Sequence, residues 1–374
     1  MTFKRIKTIK QFLLLYLFSC SFVVVSAQQK DSDKSSSGNI VSLHSVDSLY
    51  NIAAFSRAVK NSKAAKAEME WRGRIYNSIQ DGLNPIAQKK APAGKSPNDS
   101  RTIKVTKPYV PLQLTGNEIS LPGRKVRLNP SGFPEKLQSF FSPDLKGTTA
   151  MPKNIITEAI HFHVINSATH KDIKFKNAGI TVIQNSPGII KWSAVNSADA
   201  LKMEVGASIV FDGFLSYLVK ITALQDVQLD DIKLHLPINM ETSRYLLGLG
   251  NKNVIRPDTV KWKWNMATKH DGAWIGIVNA GLQYSLQDDQ YTLPAKNNSL
   301  QQQPLQQPVS WGNNDKGGIL VTEKGTSMLS ENYSGARTMK KGDVLYFNFA
   351  IMITPLSIDD KITGLDRFYW DGKL

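Results

Sequence analysis

A chain of 374 residues, 41% apolar and 21% charged, holds enough apolar material for a large packed core, which excludes global disorder. Its formal net charge is +15, but the basic residues are scattered, and no compact basic helix or aromatic–basic signature points to nucleic acid. With a single cysteine, Cys20, the chain can form neither an internal disulfide nor a cysteine metal cluster.

At the N-terminus, Lys4, Arg5, Lys7 and Lys10 precede an apolar run from Phe12 to Phe18, and Val25-Ser26-Ala27 places small residues before a cleavage point. Residues 1–27 therefore read as a secretory signal peptide, and the mature chain as exported to the periplasm, the cell surface or the medium. A rival reading makes Cys20 a lipoprotein acceptor. Against it, Phe18 is bulky and the apolar run continues past the cysteine through Val25. No later stretch approaches the roughly 20 apolar residues that a membrane-spanning helix needs.

Residues 28–45 are rich in Ser, Asp and Lys and read as a disordered spacer. In the 46–108 segment, Leu49, Ile52, Phe55 and Val59 recur at helical spacing, and Ala64 to Ile79 fits a second helix. Asp81-Gly82 and Pro85 stop that helix, and a flexible linker with solvated positive charge follows.

From residue 109 to 370 the period is two. Leu201, Met203, Val205, Ala207, Ile209 and Phe211 alternate up to Asp212-Gly213, and Leu215, Tyr217, Val219 and Ile221 resume the alternation, which predicts a hairpin. Asn185-Ser186-Pro187-Gly188 and Leu121-Pro122-Gly123-Arg124 mark two further turns. Strands are predicted near Ile232–Ile238, Trp274–Val278, Leu282–Leu286, Ile319–Thr322 and Leu345–Ile353, and the 295–309 segment reads as an exposed loop. About ten to twelve strands with one apolar face each require a second covering layer. The predicted fold is mainly β, an antiparallel β-sandwich preceded by a short helical N-terminal segment.

Three residue types could carry chemistry. His161 and His163 share one face of a strand and can chelate a metal, but no third ligand stands at a recognisable spacing. The simplest reading is an exposed polar face with Phe162 and Val164 inward; His235 likewise reads as an outward strand residue. The pairs Asp230-Asp231, Asp288-Asp289 and Asp359-Asp360 lie at turns or strand ends, where backbone hydrogen bonding favours aspartate. No catalytic, cofactor or metal residue is assigned. Trp262 and Trp264, on one strand face, with Trp274 and Trp311, are the candidate carbohydrate contacts, because sugar rings stack on indoles. Burial in the sandwich core competes with that role for each of them.

Leu246-Leu247-Gly248-Leu249-Gly250 is followed by Arg256-Pro257, Trp262-Lys263-Trp264 and Asp271-Gly272-Ala273-Trp274-Ile275-Gly276. Asn279-Ala280-Gly281-Leu282, Ser334-Gly335-Ala336-Arg337-Thr338, Lys341-Gly342-Asp343 and Ile353-Thr354-Pro355 complete the series. In this order the blocks resemble the N-terminal domain of glycoside hydrolase family 123-like proteins. The resemblance implies a β-sandwich preceding a (β/α)-barrel whose adjacent Asp-Glu pair acts on β-linked 2-acetamido sugars through the substrate's own acetamide. Arg367-Phe368-Tyr369-Trp370 looks like the junction into that barrel, and the sequence ends at Leu374. The expectation is a non-catalytic sandwich half of an exported glycosidase, its barrel encoded separately or lost, with glycans as possible ligands and no cofactor. The alternative is a stand-alone carbohydrate-binding protein.

Overall fold

The computed structural model describes residues 103, 105, 109–251, 255–264, 272–287 and 308–355. The signal peptide, the spacer, the predicted helices and the 367–370 junction lie outside the described residues, as does the 295–309 loop except Pro308 and Val309. From the end of the predicted linker, Ile103 and Val105 pack against the core.

The longest alternating stretch becomes the predicted hairpin. Strands β10 (Leu201–Val210) and β11 (Phe214–Ala223) pair antiparallel in unbroken register from Leu201↔Ala223 to Ile209↔Leu215. At the turn, Gly213 takes a φ of +91°, which suits glycine, and the Asp212 side chain accepts a hydrogen bond from the Phe214 N–H at 2.9 Å. The hairpin lies in the middle of a nine-stranded antiparallel sheet. On one side stand β9 (Ile189–Ser197) and β8 (Lys176–Ser186), joined at the predicted 185–188 turn. On the other stand β21 (Asn348–Thr354), β16 (Ala280–Gln287), β15 (Gly272–Ile277) and β13 (Tyr245–Gly248), and β20 (Val344–Tyr346) also pairs with β11.

A seven-stranded sheet faces it. Its order is β14 (Thr259–Lys263), β17 (Gly318–Lys324), β18 (Ser327–Tyr333), β12 (Val227–Asn239), β6 (His161–Asn166) and β7 (Lys171–Asp172), with β19 (Arg337–Met339) also on β12. Inward residues of the two sheets meet in one core: Phe162 packs on Phe347 and Phe349, and the Tyr284 and Ser330 hydroxyls bond at 2.8 Å. Each fully buried aliphatic or aromatic side chain contributes about 1.5–3 kcal/mol of transfer free energy, so this shared interior holds the layers together.

A third, five-stranded meander covers one flank: β1 (Gln113–Thr115), β2 (Glu118–Leu121), β3 (Arg124–Leu128), β4 (Pro134–Phe141) and β5 (Thr148–Asn154). It contributes Ile119, Val126 and Leu137 to the same core. The Ser139 hydroxyl and Asn279 side-chain amide exchange bonds with Asn279 O and Phe141 O at 2.5 and 2.7 Å, tying the meander to the nine-stranded sheet.

The described residues form 21 strands, where the sequence predicted about ten to twelve. The excess comes from strands too short, or too exposed, to show an alternation. The three sheets are antiparallel throughout and none closes into a barrel among the described residues.

Candidate functional site

Strand β6 sends His161 and His163 to the outer face of the seven-stranded sheet, while Phe162 and Val164 point into the core. The pleat dictates this, because alternate side chains leave opposite faces. Across the ladder, β12 places His235 directly opposite His161, and Lys233 opposite His163. On the far side of β12, Glu331 of β18 stands opposite His235. Antiparallel register thus gathers three imidazoles and a carboxylate on one patch.

The rings touch. His161 and His163 centroids are 4.7 Å apart, His163 and His235 4.3 Å, and His161 and His235 5.2 Å. One ring nitrogen from each histidine lies within 4.8 Å of one from each of the others. His235 projects outward as predicted, yet it is buried, because its two partner rings and Glu331 close around it. The third imidazole absent from the sequence pattern is therefore that of His235, supplied by the neighbouring strand.

Acceptors hold the outer nitrogen of each ring. His161 Nδ1 donates to the Ala159 carbonyl at 2.7 Å, and His235 Nε2 donates to a Glu331 carboxylate oxygen at 3.0 Å. His163 Nδ1 faces a carboxylate oxygen of Asp172 at 3.4 Å. The Asp172 carboxylate also accepts the Val164 N–H at 3.0 Å and pairs with Lys174 at 2.9 Å. Glu331 is pushed down to about 2, chiefly by the His235 hydrogen bond and also by Lys233 at 2.9 Å, so it is a carboxylate at any ordinary pH. Burial, then the charge of His235, lowers the His163 pKa, while Asp172 opposes the shift.

The predicted carbohydrate contacts fall elsewhere. Trp262 and Trp264 do share a face and meet at 4.9 Å, but that face is the inward one: Trp262 is buried in the core and Trp264 is partly buried against it. Trp274 is buried, its indole N–H donating to Thr354 at 2.9 Å. Trp311 is fully enclosed. Burial leaves the Trp311, Trp262 and Trp274 rings little surface on which a sugar could stack. Large apolar area drives these rings inward.

Of the carboxylate pairs, Asp230-Asp231 is described and its members diverge. Asp230 bonds His170 at 2.6 Å, while Asp231 turns to the Ser334 and Gly335 backbone N–H groups at 3.1 and 2.7 Å. Burial raises the Asp231 pKa, and the two N–H donors oppose that shift. The pair lies inside β12 at a bulge, and not at the turn or strand end that the sequence suggested; the other two pairs lie outside the described residues.

Residues 112–355 match the family model described as glycoside hydrolase 123, third domain. This is the family the sequence blocks resemble, and the description numbers the sandwich as its third domain. No curated protein sequence matches the chain. Among solved structures, a galactose mutarotase related enzyme of Lactobacillus acidophilus is similar at 7% identity and a TM-score of 0.34, over 66% of this chain and 98% of its own. A polysaccharide lyase is similar at 12% identity and a TM-score of 0.32, over 67% of this chain and 33% of its own. Heparinase III is similar at 9% identity and a TM-score of 0.34, over 65% of this chain and 35% of its own. No residue roles carry across at such identities.

Proposed function

The chain belongs to the glycoside hydrolase 123 family through that family's third domain, and from this premise we propose that it is a non-catalytic sandwich module of an exported glycosidase system. The substrates of that system are glycans containing 2-acetamido sugars, and the acid–base residues are supplied by a separate barrel. The observation that carries this reading is the extent of the family match, 112–355, which spans every described strand. Carboxylates within those strands support it. Glu118 is flanked by Lys125 and Arg127, and Glu331 by Lys233 and His235, and both pKa values are lowered. A carboxylate held ionised by cations is a poor general acid for a departing sugar oxygen.

Export is part of the proposal and rests on the basic, apolar and small-residue order of residues 1–27. Fractionation of cells producing the tagged chain is expected to place it outside the cytoplasm, with a mobility matching loss of the leader. Retention of the full-length chain in the cytoplasm would remove the export claim. The module claim is tested by reading the genomic sequence on both sides of the coding region. A barrel-coding sequence with an adjacent Asp-Glu pair is expected there, and unrelated sequence on both sides would overturn the reading.

A second reading, stand-alone glycan binding, rests on Trp264, the one predicted contact residue with part of its surface exposed. It requires retention of the chain on a glycan affinity gel and loss of that retention in Trp264→Ala.

A further inference from the structure

The outer-face histidines bring ring nitrogens together at close range. The Ala159 carbonyl can only accept, so His161 Nδ1 carries hydrogen and Nε2 of that ring faces its neighbour. Asp172 stands 3.4 Å from His163 Nδ1, and Nε2 of His163 points at the neighbouring ring. These two Nε2 atoms face each other at 2.9 Å. A proton on one of them makes this contact a hydrogen bond, and a metal ion can take that proton's place. Glu331 fixes the His235 hydrogen on Nε2 and leaves Nδ1 as the free nitrogen of the third ring.

From this geometry we infer that His161, His163 and His235 form a binding site for one divalent transition-metal ion of the zinc class, with a fourth position open to solvent. Three neutral imidazoles and an open position are a donor set that zinc accepts, and imidazole is among the ligands that suit it. A tetrahedral centre with ~2.05 Å bonds sets its ligand nitrogens about 3.3 Å apart. His161 Nε2 and His163 Nε2 are 2.9 Å apart, and one nitrogen from each of the three rings lies within 4.8 Å of the others, so the spacings span that value. Two carboxylates and a carbonyl behind the rings supply the outer support that metal-binding histidines use to fix tautomer and orientation. Lys233 and Lys174 are the nearby cations, and each is paired with one of those carboxylates. His163 keeps a third of its side chain exposed, which gives an entry path.

The inference does not depend on the glycosidase reading. Its test is titration of the chelator-treated full chain with Zn²⁺ by calorimetry, and with Co²⁺ by visible absorption. One ion per chain, a tetrahedral Co²⁺ spectrum and a rise in melting temperature are expected. In His161→Ala/His163→Ala the affinity is expected to fall at least about 100-fold and the thermal shift to vanish, while His170→Ala keeps both. If the double variant fails to fold, Glu331→Gln leaves all three ligands in place and is expected to bind about 10–100-fold more weakly. Absence of stoichiometric binding, or binding that survives in both the double variant and Glu331→Gln unchanged, would overturn the site.

Discussion

Replacing Trp311 by alanine is expected to destabilise the folded domain by about 3–5 kcal/mol, the range for deleting a large buried aromatic side chain. Trp311 lies on a single helical turn, Val309–Gly312, and its side chain is fully buried. Its ring meets Phe347 edge-on at 4.9 Å and stacks over Phe162 at 6.2 Å, so it touches both main sheets. The indole N–H also donates to the Gln287 and Asn348 carbonyls at 2.9 and 3.0 Å. Alanine would leave a cavity between the layers and deprive both carbonyls of that donor. Chemical denaturation of the two proteins measures the difference, and a change under about 1 kcal/mol would show that the ring is not enclosed as described.

Arg124→Met is expected to cost about 3 kcal/mol, within the penalty for leaving several buried acceptors without a charged donor. Arg124 is only 1% exposed. Its guanidinium donates to the carbonyls of Asp212 and Ile353 at 2.8 and 2.9 Å from Nη1, and to Pro122 at 3.1 Å from Nε. One side chain thus fastens β3 to the turn of the central hairpin and to the end of β21. Methionine keeps the apolar stem and removes the donors. Lysine keeps the charge but not the planar fork, so Arg124→Lys is expected to recover only part of the loss. Urea unfolding checks both variants, and full stability in Arg124→Lys would mean that charge alone matters at this position.

The sequence displays its structure where one strand face is buried and the other is not. The Leu201–Ile221 alternation yields the central hairpin because its alternating positions are buried along both strands, from Leu201 to Ile209 and from Leu215 to Ile221. The same logic misses β5 and most of β8, where nearly all residues are at least partly exposed and no apolar period develops. It also reads Leu345–Ile353 as one strand, whereas the structure breaks it into β20 and β21. There the Asn348 side-chain oxygen accepts the Val219 N–H at 3.0 Å, while the Asn348 carbonyl turns to Trp311. A side chain has replaced a rung of the ladder, and no local pattern announces that.

The histidine cluster is divided in the same way. The His161–His163 spacing is a local property and was legible. His235 joins them through the register of β6 against β12, which follows from how strands pair in three dimensions. The tryptophans show the converse: their spacing correctly paired Trp262 with Trp264, but spacing cannot tell the inward face from the outward one. Glu331 was likewise invisible as a site residue, since its partnership with His235 arises only when β18 lies beside β12.

The module reading is tested most directly by incubating the purified chain with an aryl 2-acetamido-2-deoxy-β-galactoside. The expected result is aglycone release no faster than in buffer. Turnover on the order of 1 s⁻¹ or faster, tracking the chain through purification, would show that the sandwich holds an acid–base site of its own and would contradict the account.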